Sequence, residues 1–261
     1  MLNSNIEEYK VMFEAEEKLW WYRILHEKVL AEITQKYPEN YQVNILDIGC
    51  GTGGLMSFLI KKGFQNIQGI DYSEAAISFC KERNLNVRRF DINFLDELII
   101  SNKFDVIICN DVFYCLENAQ IVNIFHAIHG LLKDDAIFIS NNNAFNIFWG
   151  THDIAVGGKQ RFTLQDIEAL LPKELLTIDY YSYWTWFLSP LVLTVRLSQR
   201  LGIALKLIDT KNVVSDVEVP SNFINTFFYH LVKIEEKILK KGFFGSSLFM
   251  KISKKNGLVS S

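Results

Sequence analysis

The sequence predicts an α/β fold, a mostly parallel sheet with helices on both of its faces. From Val43 onward, short apolar runs alternate with helical stretches, joined by short connections. Two of those runs, "IICN" at 107–110 and "IFIS" at 137–140, are apolar at successive positions. That pattern suits strands buried on both sides. Such a sheet binds ligands beyond the carboxyl ends of its strands, so function is expected near 47–53, 71–73, 91–92, 109–115 and from 140 onward.

The elements follow in order. Residues 6–36 read as helical, with Tyr9, Met12, Phe13, Glu16 and Trp20 at helical spacing, until Pro38 and Asn40 break the pattern. Val43–Ile48 is a strand, and Leu55–Lys62 a helix that Gly63 ends. Ile67–Asp71 is a strand, Glu74–Arg83 a helix, and Val87–Phe90 a short strand followed by 95–100. Phe104–Asn110 and Ala136–Asn141 are strands that bracket a helix at Ala119–Leu132. Thr163–Leu171 is a helix with Thr163 as N-cap and Asp166 at N3. Leu176–Tyr183 is strand-like, an aromatic and apolar stretch fills 184–202, and a polar loop fills 209–220. A helix from about Asn222 to Lys241 carries Phe223, Phe227, Leu231, Ile234 and Ile238 on one face and charges on another, the pattern of a normal amphipathic helix. Ser247–Ser253 closes the chain as a strand.

With 261 residues, 49% of them hydrophobic and 22% charged, the chain suits one well-packed domain with a sizeable insertion. We divide it into a helical cap (1–40), a cofactor-binding core (41–183), a helical insertion or lid (184–241) and a final strand with tail (242–261). A net charge of −3 offers nucleic acid no general attraction. Cys50, Cys80, Cys109 and Cys115 show no CxxC spacing, so no metal site is expected, and they read as reduced packing thiols of a cytoplasmic protein. The opening MLNSNIEEYK lacks the basic and apolar regions of a signal peptide, and the stretch from Tyr183 to Leu197 is too short and interrupted to span a bilayer.

The stretch "NILDIGCGTGG" (44–54) carries the chemistry. Gly49, Gly51 and Gly54 satisfy GxGxxG, and Asp71 follows about 20 residues later, as in a dinucleotide site. A second cofactor fits the same glycines, because any ligand that must touch backbone needs a loop without Cβ atoms. Asp47, just before the loop, would repel phosphates and suits an ammonium or sulfonium cation. The run Gly49-Cys50-Gly51-Thr52-Gly53 can wrap an amino-acid moiety. Asp71 can accept both hydroxyls of an adenosine ribose, with Tyr72 beside it; Asp91 can accept from the adenine amino group, with Ile92 against the base. Asn110 and Asp111 fall where the methionine end would lie.

"LDIGCGTG", "GIDYS", "RFDI" and "FDVIICNDVFYCLEN" resemble the class I S-adenosylmethionine-dependent methyltransferase family over residues 40–141. The resemblance implies a Rossmann-like seven-stranded sheet with an antiparallel last strand, and S-adenosylmethionine as cofactor, with S-adenosylhomocysteine as product. "EEKLWWYRIL", "WGTHDIAVGGKQRFT", "FLSPLVLTVRL" and "LVKIEEKILKKGFFGSSLFMKISKK" further resemble a bacterial subgroup with an N-terminal WW-aromatic helix and an HDxxxGHxRRYT-like segment. The chain departs from that subgroup at Gly158, usually histidine, and Gln160, usually arginine. It also departs at Asp111-Val112-Phe113-Tyr114-Cys115, where the subgroup has DVLEH.

Methyl transfer asks the protein mainly to position reactants, with a base where the acceptor must lose a proton. His152, tuned by Asp153, and Tyr22 are the candidates for that end of the site, and Arg161 for holding an anionic group or pairing with an acid. The aromatic insertion at 180–193 suits a small-molecule or lipid- or sugar-linked acceptor, methylated at oxygen or nitrogen, with at most peripheral membrane contact. Two rivals share the same loop: an NAD(P)-dependent oxidoreductase and a non-catalytic cofactor-binding scaffold.

Overall fold

The computed structural model describes residues 6–210, 213, 215 and 217–255. Seven strands form one sheet: β1 (Ile45–Ile48), β2 (Ile67–Asp71), β3 (Val87–Arg89), β4 (Phe104–Asn110), β5 (Leu132–Asn143), β6 (Leu176–Trp184) and β7 (Ser247–Lys254), in the order β3-β2-β1-β4-β5-β7-β6. All pairings from β3 through β5 are parallel, and β7 runs antiparallel between β5 and β6. This is the mostly parallel Rossmann-like sheet with an antiparallel last strand that the sequence predicts.

The strand side chains alternate between two cores. Leu46, Ile107, Phe138 and Met250 face one side, against Ile121, Phe125 and Ile128 of α5 (Asn118–Leu131) and Ile167 of α7 (Leu164–Leu170). Ile45, Ile108, Ile139 and Phe249 face the other, against Ile24, Val29 and Ile33 of α2 (Trp20–Lys36) and Leu55, Met56 and Leu59 of α3 (Gly54–Lys61). The period of two in each strand, with both parities apolar, is what a sheet covered on both faces requires. The N-cap reading at Thr163 is borne out: its hydroxyl accepts from Asp166 N at 3.3 Å, and Asp166 Oδ2 accepts from Thr163 N at 2.7 Å.

The chain order reverses at β1, which pairs β2 on one side and β4 on the other, opening a crevice at the carboxyl edge. Register aligns that edge, with Asp47 opposite both Gly69 and Ile108. Asp47, Asp71 and Asn110 therefore end neighbouring strands on one rim.

Two expectations change. The helical stretch 6–36 is two helices, α1 (Ile6–Ala15) and α2, with extended backbone at Leu19 between them. Asn225 Oδ1 accepts from Trp20 N at 2.9 Å and Asn225 Nδ2 donates to Lys18 O at 2.8 Å, so a remote residue caps the new helix start. The second change is in α9 (Asn222–Ile238), where Val232, Phe228 and Leu231 pack inward but Phe223, Phe227, Ile234 and Ile238 of the expected apolar face stay exposed. Its polar side faces α2: Lys28 pairs with Glu236 at 2.7 Å, Lys233 with Glu27 at 3.1 Å, and Tyr229 donates to Glu27 at 2.7 Å.

Candidate functional site

The glycine loop is a turn held open by backbone and by one acid. Gly49 and Gly51 have φ of +70° and +54°, a conformation that glycine adopts without strain. A Cβ on Gly49 would stand 2.3 Å from Val112 Cγ2. Gly49 N and Cys50 N both donate to Ile70 O, at 2.8 and 3.0 Å. Asp71 Oδ2 accepts from Gly51 N at 3.0 Å and its Oδ1 from Ser73 N at 2.8 Å, so the acid of β2 fixes the loop that follows β1.

A cavity of about 850 Å³ opens above this rim. Asp47, Gly49, Cys50, Gly51, Asp71, Tyr72, Asp91, Ile92, Asn110 and Asp111 all line it, as do Tyr22 and His152. Gly53 and Asp153 do not. Gly53 caps α3 at φ +82°, where a Cβ would meet Leu85 Cδ1 at 2.3 Å and Cys80 Sγ at 3.0 Å, so it packs against the chain behind the loop. Asp153, 1% exposed, is gripped by Arg161 through Nε at 2.7 Å and Nη2 at 3.0 Å, and also accepts from Gly150 N at 2.8 Å. Its carboxylate holds the segment after β5 together. Asp91 accepts from Asn93 N at 2.9 Å and Asn93 Nδ2 at 2.8 Å, which folds the start of a short 3₁₀ turn and sets Ile92 on the cavity wall.

The buried acids are electrostatically unusual. Burial, reinforced by the charges of Glu16 and Asp71, raises Asp47 to about 8. Burial likewise raises Asp111 to about 7, against the opposing pull of hydrogen bonds from Asn141 and the charge of Arg161. Asp71 is also raised by burial, with the N–H groups of Ser73 and Gly51 opposing. Carboxylates that pay this cost in the folded chain suit a cationic ligand, which would restore their charged form. Asn110 supplies the complementary signal: its Oδ1 accepts from Asn141 N at 2.9 Å, while its buried Nδ2 has no hydrogen-bond partner among the described residues.

Residues 39–147 match the family model described as a methyltransferase domain. Over these residues the chain resembles a methyltransferase domain. The chain is 27% identical over 172 residues to a putative methyltransferase of Geobacillus sp. (strain WCH70), covering 56% of this chain and 66% of the relative. It is 31% identical over 124 residues to a ubiquinone biosynthesis O-methyltransferase of Rickettsia canadensis (strain McKiel), covering 41% of this chain and 52% of the relative. The chain thus spans between half and two thirds of these relatives' lengths. The crystal structure of an S-adenosylmethionine-dependent methyltransferase from Clostridium acetobutylicum ATCC 824 shares the fold, with a TM-score of 0.52 at 14% identity over 88% of this chain and 91% of that one.

The cavity is roofed by residues outside the matched segment. Tyr9 and Met12 of α1 line the cavity, and Met12 Sδ lies 3.1 Å from where a Gly51 Cβ would stand. At the end of α1, buried Glu16 hydrogen-bonds Thr52 Oγ1 and pairs with Arg83 Nη1 at 2.7 Å. Arg83 also donates to Thr52 O and Phe13 O, each at 2.9 Å, with its guanidinium 4.2 Å from the Phe13 ring. This latch ties the N-terminal helix to the glycine loop. Its signal in the sequence is an acid on the apolar stripe of 6–20, which a soluble helix has no reason to place there unless it meets a partner. Across the cavity, Trp21 stacks on Trp184 at 5.5 Å, and Trp184 Nε1 donates to Asn141 Oδ1 at 2.9 Å. Asn141 Nδ2 in turn reaches both oxygens of Asp111, at 3.2 and 3.1 Å. A polar chain therefore joins the aromatic wall to the rim of the sheet.

Among the described residues no cluster suited to a metal ion occurs, and no helix is long and apolar enough to cross a membrane.

Proposed function

We propose that the chain transfers the methyl group of S-adenosylmethionine to an oxygen or nitrogen of a hydrophobic small molecule or a lipid- or sugar-linked acceptor. One observation carries this reading. A single cavity joins the acid-lined glycine loop to a chamber walled by Trp20, Trp21, Tyr22, Phe148, Val156 and Phe228, so both reactants can share one enclosed space. That the Rickettsia relative is an O-methyltransferase supports oxygen as the accepting atom.

The cofactor supplies the electrophilic methyl group; this chain's residues bind, orient and exclude water. In this reading Asp71 receives the ribose hydroxyls, because each of its oxygens takes one backbone N–H and keeps a further lone pair. Ile92, Asp91 and Tyr72 hold the base, while Asp47, the loop backbone and the unpaired Asn110 Nδ2 meet the amino-acid end. At the acceptor end His152 is the candidate proton acceptor. Tyr22 is held well above its ordinary range by burial and by the charges of Glu16 and Asp111, so it stays protonated and serves as a donor that orients the acceptor. Asp111, titrating near neutrality, is a second proton acceptor at the same end.

Purified chain incubated with S-adenosylmethionine and fractionated cell extracts should form S-adenosylhomocysteine with the apolar fraction. Turnover confined to the polar fraction sinks the acceptor class, and calorimetry showing tight NAD but no S-adenosylhomocysteine binding sinks the whole reading.

The raised acids add a pH signature. Below about pH 8 Asp47 carries a proton in the free protein, and a bound cation favours its charged form, so binding expels that proton. Affinity for S-adenosylmethionine should therefore rise with pH, by up to ~tenfold per unit, and level off above Asp47's own titration. Calorimetry in two buffers of different ionisation enthalpy would register the released proton. An affinity that stays flat or falls over this range would show that Asp47 does not face the cation.

A further inference from the structure

Helices of soluble domains turn their apolar side to the core, and two helices of the insertion leave a second apolar arc outside as well. On α9, Phe223, Phe227, Ile234 and Ile238 recur at helical spacing and are 82%, 54%, 50% and 63% exposed. The same helix buries Asn225, Val232 and Glu235, and Glu235 accepts from Phe187 N at 2.8 Å. On α8 (Ser189–Ala204), Leu191, Val195, Leu197 and Leu201 are exposed, and the outward arc adds only Thr194 and Ser198 between them. The cations of α8 turn inward instead. Arg196 lines the cavity, and Arg200 donates to the carbonyls of Asn146, Ile147 and Trp149 at 2.7, 2.8 and 3.0 Å. Apolar side chains exposed along a helix face mark a candidate interaction site.

Charge selects the partner. Residues 185–246 hold eight lysines and arginines against five acids, a net +3 within a chain of −3. Glu235 is buried and Glu236 pairs with Lys28 and Lys233, so neither faces outward as a free anion. Lys237, Lys240 and Lys241 are exposed beside Ile234 and Ile238. The exposed arcs of both helices contain no acid, so two copies meeting through this same face would bring cationic rims together with nothing to answer them. An apolar stripe flanked by lysines is the pattern that beds into lipid headgroups. The stripe also borders the cavity: Phe227 is exposed, and its ring contact at 6.0 Å, Phe228, lines the cavity wall.

We propose that the outward faces of α8 and α9 seat this protein on an anionic lipid surface, beside the cavity. The docking rests on exposure and charge alone. Only its use, bringing a lipid-linked acceptor to the site, rests on the function proposed above.

The test is vesicle flotation with the full chain, using phosphatidylcholine alone or mixed with phosphatidylglycerol. The parent should float with the anionic vesicles, weakly with the neutral ones, and be released by high salt. Phe223→Ser, Phe227→Ser, Ile234→Ser and Ile238→Ser combined should cut partitioning about tenfold or more, while Lys237→Gln, Lys240→Gln and Lys241→Gln combined should remove the preference for anionic lipid. None of these side chains lines the cavity, so S-adenosylhomocysteine affinity should be unchanged and serves as the folding control. A parent that ignores anionic vesicles, or a serine variant that floats as well, overturns the proposal. So does a parent dimer that the serine variant converts to monomer while neither floats, which would make the face an interface between copies. A parent that floats with anionic vesicles but does not bind S-adenosylhomocysteine would count against the proposed function and leave the docking standing.

Discussion

Asp71→Ala is expected to bind S-adenosylhomocysteine at least ~100-fold more weakly while melting within a few degrees of the parent. Two charge-assisted hydrogen bonds to ribose hydroxyls would be lost, each contributing roughly 1.5–3 kcal/mol, and a factor of 100 corresponds to about 2.7 kcal/mol. The melting temperature should hold because burial already disfavours this carboxylate in the folded chain, so its removal relieves a cost that offsets the lost bonds to Gly51 N and Ser73 N. Asp71→Asn separates the two roles of the side chain. Its amide oxygen can still accept one backbone N–H and hold part of the loop, but it cannot take both hydroxyls with charge. Asparagine should therefore recover loop order more than affinity. Calorimetry with a thermal melt on each variant decides it, and an affinity equal to the parent's in Asp71→Ala would show that the ribose lies elsewhere.

What the sequence disclosed of this site follows the range of the interactions involved. Asp47, Asp71 and Asn110 were legible because a parallel sheet aligns the ends of its strands, so a local pattern of apolar run then acid already implies a shared rim. Thr163 and Asp166 were legible because a cap is a three-residue event. Gly53 carried the same local signal as Gly51 but faces Leu85 and Cys80, since only the fold says which side of the turn opens to the cavity. Asp153 was expected beside the chemistry with His152. Eight residues on, Arg161 takes both of its oxygens, a pairing that no spacing rule predicts. The orientation of α9 was illegible for a deeper reason. Periodicity identifies two faces of a helix but not which one meets the protein, and here Asn225 capping α2 and the ion pairs of Lys28 and Lys233 draw the polar face inward.

Glu16→Ala is expected to lower stability by about 3 kcal/mol and the melting temperature by roughly 10 °C, because it leaves Arg83 charged and buried without its partner. The burial that raises Glu16 is opposed by Thr52 and Arg83, so the acid is tolerated only as part of this set. Cofactor affinity should fall as well, about tenfold, because α1 carries Tyr9 and Met12 over the loop and the latch is what holds that helix down. Whether the affinity loss reflects closure or contact can be read from a second variant. Glu16→Leu with Arg83→Met replaces the buried pair by apolar side chains of similar size, an exchange that is often neutral or stabilising. If the latch acts by closing the helix over the loop, this double variant regains both melting temperature and affinity. If it regains the melting temperature alone, Glu16 must touch the bound cofactor, and the roof of the site is part of its binding surface and not only its lid.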